Sequence, residues 1–151
     1  MSSSTPSRGF TLLELLAALA IAGLVLAVSV PASVRMYESM QYREAVRDLI
    51  TLFASARYQA INSGFAQNVE VHPELGELRL NSTVKKVPDG VRLFVESASE
   101  LNFNNVGIIR FYPEGGASGG SVDIQKSSGA GVKVSVDWLL GTVTQEPYDG
   151  R

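Results

Sequence analysis

The chain contains no cysteine, one histidine (His72) and one tryptophan (Trp138). Without cysteine there are no disulfide staples, iron–sulfur clusters, thiolate zinc sites or cysteine nucleophile. The compartment stays open on this count, since a cysteine-free chain suits periplasm and cytosol equally. A serine–histidine–acid triad would have to use His72, and no serine sits in a nucleophile elbow. His72 precedes Pro73 and Glu74 at the end of an alternating stretch, which reads as a strand end rather than a ligand. The acidic residues are scattered, so neither a zinc nor a calcium site is expected. No spacing singles out a carboxylate pair of the kind that cuts glycosides. Basic excess is also missing: Lys and Arg number 13 against 15 Asp and Glu, a formal net charge of -2. Lys85-Lys86, read as an exposed turn, and Arg151 at the end of Asp149-Gly150-Arg151 are too little for a nucleic-acid stripe. The expectation is a protein that is not an enzyme and uses no cofactor, metal or nucleic acid.

Hydrophobic residues make up 45% of the 151-residue chain, and they are unevenly spread. Residues 1–9 are polar, with Arg8 as their charge, and Phe10 to Val30 is almost wholly apolar. As a helix this run extends about 32 Å at ~1.5 Å per residue, enough to cross a bilayer core. Arg8 favours keeping the N-terminus in the cytoplasm, which puts everything after Pro31 beyond the inner membrane. An ordinary secretory signal has an apolar core of about 7–15 residues and a small-x-small cleavage site. Here the run is longer, begins abruptly after Gly9 and contains Glu14. A carboxylate at the centre of an apolar span costs at least ~2.5 kcal/mol, less near an end. A plain anchor has no use for it, although a carboxylate near a helix N-terminus gains something from the dipole and from snorkelling.

The segment Arg8-Gly9-Phe10-Thr11-Leu12-Leu13-Glu14-Leu15-Leu16 resembles the type IV prepilin processing site. The resemblance implies cleavage between Gly9 and Phe10 by a prepilin peptidase on the cytoplasmic side, and N-methylation of Phe10. The physical chemistry is compatible. Gly9 leaves the following peptide bond open to a protease. Glu14 lies one helical turn below the new amine, so subunits stacked with an axial offset can pair one chain's Glu14 with a neighbour's amine, favourably in a low dielectric.

Beyond Pro31, expected to kink or locally break the helix, apolar residues recur at spacings of three and four: Met36, Met40, Val46, Leu49, Ile50, Phe53, Ala56, Ala60 and Ile61. Charged residues lie between them. This predicts an amphipathic helix stopped by Gly64; a coiled coil fits less well, since the stripe is wide and short and strand-like sequence follows at once. The expected organisation is a leader over 1–9, a transmembrane helix half over 10–30, an amphipathic half over 31–63 and a β-rich head over 64–151. About seven strands are expected, around Val69–His72, Leu78–Leu80, Val91–Val95, Ile108–Phe111, Val122–Ile124, Val132–Val136 and Thr142–Thr144, with a turn at Pro88-Asp89-Gly90 and a long one from Pro113 to Gly120. The glycines of that long turn do not form a phosphate loop, because a strand follows and lysine is absent. Gly115, Gly116, Ser118 and Gly119 are candidate partner contacts. Trp138, Leu139 and Leu140 are expected to fill the core, with Trp138 as an exposed interface anchor the alternative.

Three head segments, Phe111-Tyr112-Pro113-Glu114-Gly115 with Ser118-Gly119-Gly120, Pro88-Asp89-Gly90-Val91, and Asp137-Trp138-Leu139-Leu140-Gly141, resemble the H-type minor pseudopilins of type II secretion and the related FimT/FimU minor pilins. The resemblance implies an α+β, pilin-like fold: a long N-terminal transmembrane and amphipathic helix packed on a head of two antiparallel sheets. It implies a single-pass inner-membrane protein with a periplasmic head, near the tip of a pseudopilus that helps export folded proteins. The implied partners are other minor pseudopilins, the major pseudopilin, the prepilin peptidase and an inner-membrane assembly platform. A minor pilin of a type IV pilus, acting in pilus initiation, adhesion or DNA uptake, is the alternative.

Overall fold

The structure is a computed structural model that describes residues 9–97 and 106–149, the side chains of 31, 32, 148 and 149 aside. The expected leader lies outside it except for Gly9. Two compact units divide the chain, Met1–Ser39 and Met40–Arg151, and one helix, α1 (Leu12–Ser63), contributes to both. Leucine and alanine dominate its first half and favour helix intrinsically. It does not break at Pro31: the helix continues through that residue. A proline removes one backbone hydrogen bond, which an otherwise strong helix former survives. Gly64 ends the helix at φ 72°, donating to the Ala60 carbonyl at 3.0 Å, a left-handed cap that suits glycine.

In the first unit every described residue from 9 to 30 is exposed. By length and composition the helix can cross a membrane.

The second unit holds the core. Eight strands follow the helix: β1 (Gln67–His72), β2 (Glu77–Leu80), β3 (Thr83–Lys86), β4 (Val91–Ser97), β5 (Gly107–Phe111), β6 (Gly120–Lys126), β7 (Ala130–Val136) and β8 (Val143–Asp149). They form two four-stranded antiparallel sheets, ordered β3-β2-β1-β5 and β4-β6-β7-β8. The α+β class with one long helix and two antiparallel sheets is as expected from the sequence. The strand not anticipated is β3, so Lys85-Lys86 lies in an edge strand rather than a turn. Its residues have weak apolar alternation and an exposed pattern, which hides a strand from a reading based on burial. Lysines on an edge also discourage pairing with other chains.

The buried helix face begins at Tyr42 and continues through Val46, Leu49, Phe53, Ala56 and Ala60, in one cluster with Val69, Leu78, Phe111, Ile124 and Val134 from both sheets. Each large apolar side chain buried here is worth about 1.5–3 kcal/mol. The stripe read from the sequence was too long: Met36 and Met40 are 67% and 60% exposed, because the buried face starts only at Tyr42. Specific contacts fix the helix to both sheets. Phe53 meets Phe111 with ring centroids 5.8 Å apart. The Tyr42 hydroxyl donates to the Ile124 carbonyl at 3.1 Å, Lys126 Nζ sits 4.5 Å over the Tyr42 ring, and Lys85 pairs with Asp48 at 3.2 Å. Burial pushes the Tyr42 phenol above its ordinary range.

Strand β6 is buried over Ser121–Gln125 on both faces, as befits a strand flanked on both sides. On its polar face Ser121 donates to Glu96 at 3.2 Å and Gln125 to the Gly129 carbonyl at 2.8 Å. Asp123 Oδ1 has no hydrogen bond, with Lys133 Nζ 3.7 Å away. Burial raises the Asp123 carboxyl above the usual carboxylate range, the Lys133 charge opposing.

Candidate functional site

Two places in the chain carry the candidate residues. At the N-terminus, Gly9 and Phe10 are non-helical and exposed, and the space a Gly9 side chain would fill is open. Helix α1 starts with a reciprocal pair. The Glu14 N–H donates to Thr11 Oγ1 at 3.2 Å, and the Thr11 N–H donates to Glu14 Oε2 at 3.3 Å. This is a capping box, which satisfies two donors that a helix start otherwise leaves unpaired. The sequence reading weighed a dipole role for Glu14 but missed this one; the Thr-x-x-Glu spacing was its signal. In the isolated chain Glu14 therefore stabilises the first turn, and one residue, Phe10, separates the peptide bond after Gly9 from the capping threonine.

The second place is where the Pro113–Gly120 turn meets the turn between β7 and β8. The glycine-rich segment folds tightly on itself. The Tyr112 N–H donates to Gly116 O at 2.9 Å, Gly115 to Tyr112 O at 3.0 Å, and Ser118 to Arg110 O at 2.8 Å. Ser118 Oγ accepts from the Arg110 N–H at 3.1 Å and donates to Gly119 O at 3.2 Å. Arg57 reaches from the helix to donate to Gly115 O at 3.3 Å. Of the four candidate contact residues, Gly116 is buried and Gly115, Ser118 and Gly119 are half-buried.

These glycines form a seat for the next turn. Ala117 donates to Trp138 O at 2.9 Å. A side chain on Gly116 would come within 3.0 Å of that same oxygen, and one on Gly141 within 2.5 Å of Gly115 O. Gly141 also holds φ 59°, a conformation that favours glycine. Above the seat, Asp137 Oδ1 accepts from the N–H groups of Leu139 and Leu140 at 2.9 and 2.7 Å. The Gly141 N–H closes back on Asp137 O at 2.9 Å, and Asp137 donates to Thr142 O at 2.9 Å. With every one of these groups engaged the backbone is well held. Its side chains point outward: Trp138, Leu139 and Leu140 are 68%, 62% and 60% exposed. The expectation that they fill the core is corrected. Their apolar character pointed inward, but an Asp-initiated turn closed by Gly141 projects its middle residues away from the sheets.

The remaining candidates stay apart from both places. His72 Nε2 lies 3.2 Å from Glu70 on the same strand. Glu77 is held below its ordinary pKa mainly by the Arg79 hydrogen bond, the attraction of Arg79 adding to it. Among the described residues, no three His, Cys, Asp or Glu side chains gather as metal ligands would.

Comparisons with known proteins bear on both places. The family model described as the prokaryotic N-terminal methylation motif matches residues 5–30. The family model described as Type II transport protein GspH matches residues 45–140. The chain is 26% identical over 149 residues to Type II secretion system protein H of Xanthomonas campestris pv. campestris, covering 93% of this chain and 83% of that protein. Its fold is similar to that of the minor pseudopilin EpsH from the Type 2 Secretion System of Vibrio cholerae, with a TM-score of 0.57 at 12% identity, over 71% of this chain and 97% of that one.

Proposed function

Because the chain belongs to the GspH family of type II transport proteins, we propose that it works as a minor pseudopilin at the tip of a type II secretion pseudopilus, where it helps start assembly and so supports export of folded proteins across the outer membrane. The family match over residues 45–140 carries this reading, and the methylation motif and apolar helix agree with it. The role is one of structure and assembly rather than catalysis.

In the proposed sequence of events the chain is inserted with its N-terminus in the cytoplasm and its head in the periplasm. A prepilin peptidase cuts between Gly9 and Phe10 and methylates the new terminus. Residues 10–30 then store the subunit in the inner membrane, residues 31–63 carry it onward and residues 64–151 present the head. When an assembly platform lifts the subunit, Glu14 exchanges its local bond to Thr11 for the terminal amine of a neighbour. Two charges that are costly alone in lipid are favourable together. The partners are other minor pseudopilins and the major pseudopilin.

Deleting the gene and measuring exoenzymes in the medium beside twitching and DNA uptake tests the reading. Enzymes trapped in the periplasm are expected; normal secretion with lost twitching would move the protein to a type IV pilus. Gly9→Leu should block cleavage, so that mass spectrometry finds the heavier, uncut chain; a mature mass unchanged from the wild type would refute the processing site. Glu14→Ala should be processed and inserted normally, yet secrete at least about tenfold less, the effect of losing a buried charge pair. Wild-type secretion by that variant would refute the pairing role.

A further inference from the structure

The first unit carries a charge at each end of its apolar helix, and the spacing of the two charges is that of a bilayer. Residues 15–34, twenty in all, hold no charged side chain, with Glu14 before them and Arg35 after. All lie in α1. At about 1.5 Å per residue they extend about 30 Å, the thickness of a hydrocarbon core. From the Thr11 cap to Tyr37 the helix runs about 40 Å, which takes in the polar layers on both sides. The Ser33 hydroxyl, near the far end of this stretch, donates to the Ser29 carbonyl at 2.9 Å. It is thus satisfied without water, as lipid requires. At one boundary Glu14 is held by Thr11. At the other, Arg35 is exposed and has no ion pair among the described residues. Met36 and Tyr37 beside it are exposed as well.

We propose that the stored subunit rests with residues 15–34 in the hydrocarbon, and that Arg35 anchors it there by binding a lipid phosphate in the outer leaflet of the inner membrane. The inference rests on the single-pass reading and refines which part of the helix lies in hydrocarbon. Two spans of similar length compete. With residues 10–30 in the core, Glu14 lies about 6 Å inside it, where a carboxylate is costly, and Val34 stands in water. With residues 15–34 in the core, Glu14 and its cap reach the inner headgroup layer. Phe10, Leu12 and Leu13 then lie at the headgroup boundary, where apolar side chains are still sheltered. At the outer end Tyr37 takes a place in the aromatic belt. A guanidinium presents its N–H donors in a planar fork that matches a phosphate, and its long stem reaches one from the edge of the core. Glu38, about 4–5 Å further out, lies on the water side of that phosphate. Lifting the subunit from this position draws Glu14 into hydrocarbon, and that is the step at which a neighbour's amine becomes a favourable partner for it.

The chain has no cysteine, so single cysteines report depth through a membrane-impermeant maleimide, which reacts with a hydrated thiolate. The full chain carrying Leu24→Cys, Val34→Cys or Met40→Cys is purified from its own membrane into nanodiscs of phosphatidylethanolamine and phosphatidylglycerol, one subunit per disc. Val34→Cys should react as slowly as Leu24→Cys and at least about tenfold more slowly than Met40→Cys. Reaction of Val34→Cys at the Met40→Cys rate overturns the proposed depth. Reaction of Leu24→Cys at that rate is a different failure, because then the helix does not span and the membrane reading itself falls. Arg35→Gln should speed labelling of Val34→Cys about fivefold, as expected for loss of one cationic contact with an anionic leaflet. Arg35→Lys should keep most of the protection. Unchanged labelling in Arg35→Gln overturns the phosphate anchor. So does faster labelling of the Arg35 chain in millimolar inorganic phosphate, which marks the bound anion as free rather than a headgroup. Protection of Val34→Cys that appears only with two subunits per disc also overturns it, since Arg35 then pairs with protein instead of lipid.

Discussion

The stretch from Phe10 to Val30 and the helix face from Tyr42 to Ala60 are both apolar, and they differ in where their partners are. In the first, every residue is exposed within the chain. In the second, Leu49, Phe53, Ala56 and Ala60 are fully buried against two sheets. Apolar character alone thus does not mark a core; it marks a surface that must leave water, whether into the same chain, into lipid or against another subunit. The Trp138–Leu140 turn sits in the head yet behaves like the first region.

The same substitution in the two regions should break them apart most clearly. Leu49→Ala is expected to cost the head 2–5 kcal/mol, roughly, as cavity-forming changes do, whereas Leu24→Ala should leave head stability unchanged. Chemical denaturation of the full chain in nanodiscs, followed by near-ultraviolet circular dichroism, measures both. Equal effects would mean that Leu24 is part of the folded core. A smaller effect is expected at the seat of the exposed turn. Gly141→Ala forces a side chain toward Gly115 O at a positive φ, for a loss of about 1–3 kcal/mol. Its mark should be faster hydrogen exchange at Ala117 and Leu139, with the sheets protected as before. The smallest expected effect is at Asp123. Its folded pKa is raised, so the native state binds the proton more tightly than the unfolded chain. Ionisation therefore costs stability above the folded pKa, and that cost disappears as pH falls through the folded pKa to below the unfolded one. Asp123→Asn should be as stable as the wild type or slightly more so near pH 7, by up to about 1 kcal/mol, with the difference shrinking on acidification. A wild type that loses stability relative to the variant on acidification would show the sign to be wrong.

Much of this was legible because it depends on local pattern. A long unbroken apolar run predicts a helix in any apolar surrounding, and Gly64 stops it through a conformation that glycine adopts freely. Strands β1, β2, β5 and β7 alternate visibly. Where reading failed, the missing information was non-local. Strand β3 is held by its register with β2 and by the Lys85–Asp48 pair, neither of which leaves a periodic trace. Met36 and Met40 extend the apolar period past the point where the buried face begins. The Thr11–Glu14 box was available locally and was overlooked beneath the larger motif.

The sequence by itself determined the anchor helix, the prepilin-like motif, the α+β class and the exclusion of thiol chemistry, because each follows from composition or from residues close along the chain. Only the tertiary structure decided that Trp138, Leu139 and Leu140 face outward and that the glycines before them are their support. Which way an apolar residue points depends on the turn that carries it and on what lies beneath, here segments about twenty residues apart joined by the Ala117–Trp138 hydrogen bond, and no local pattern encodes that.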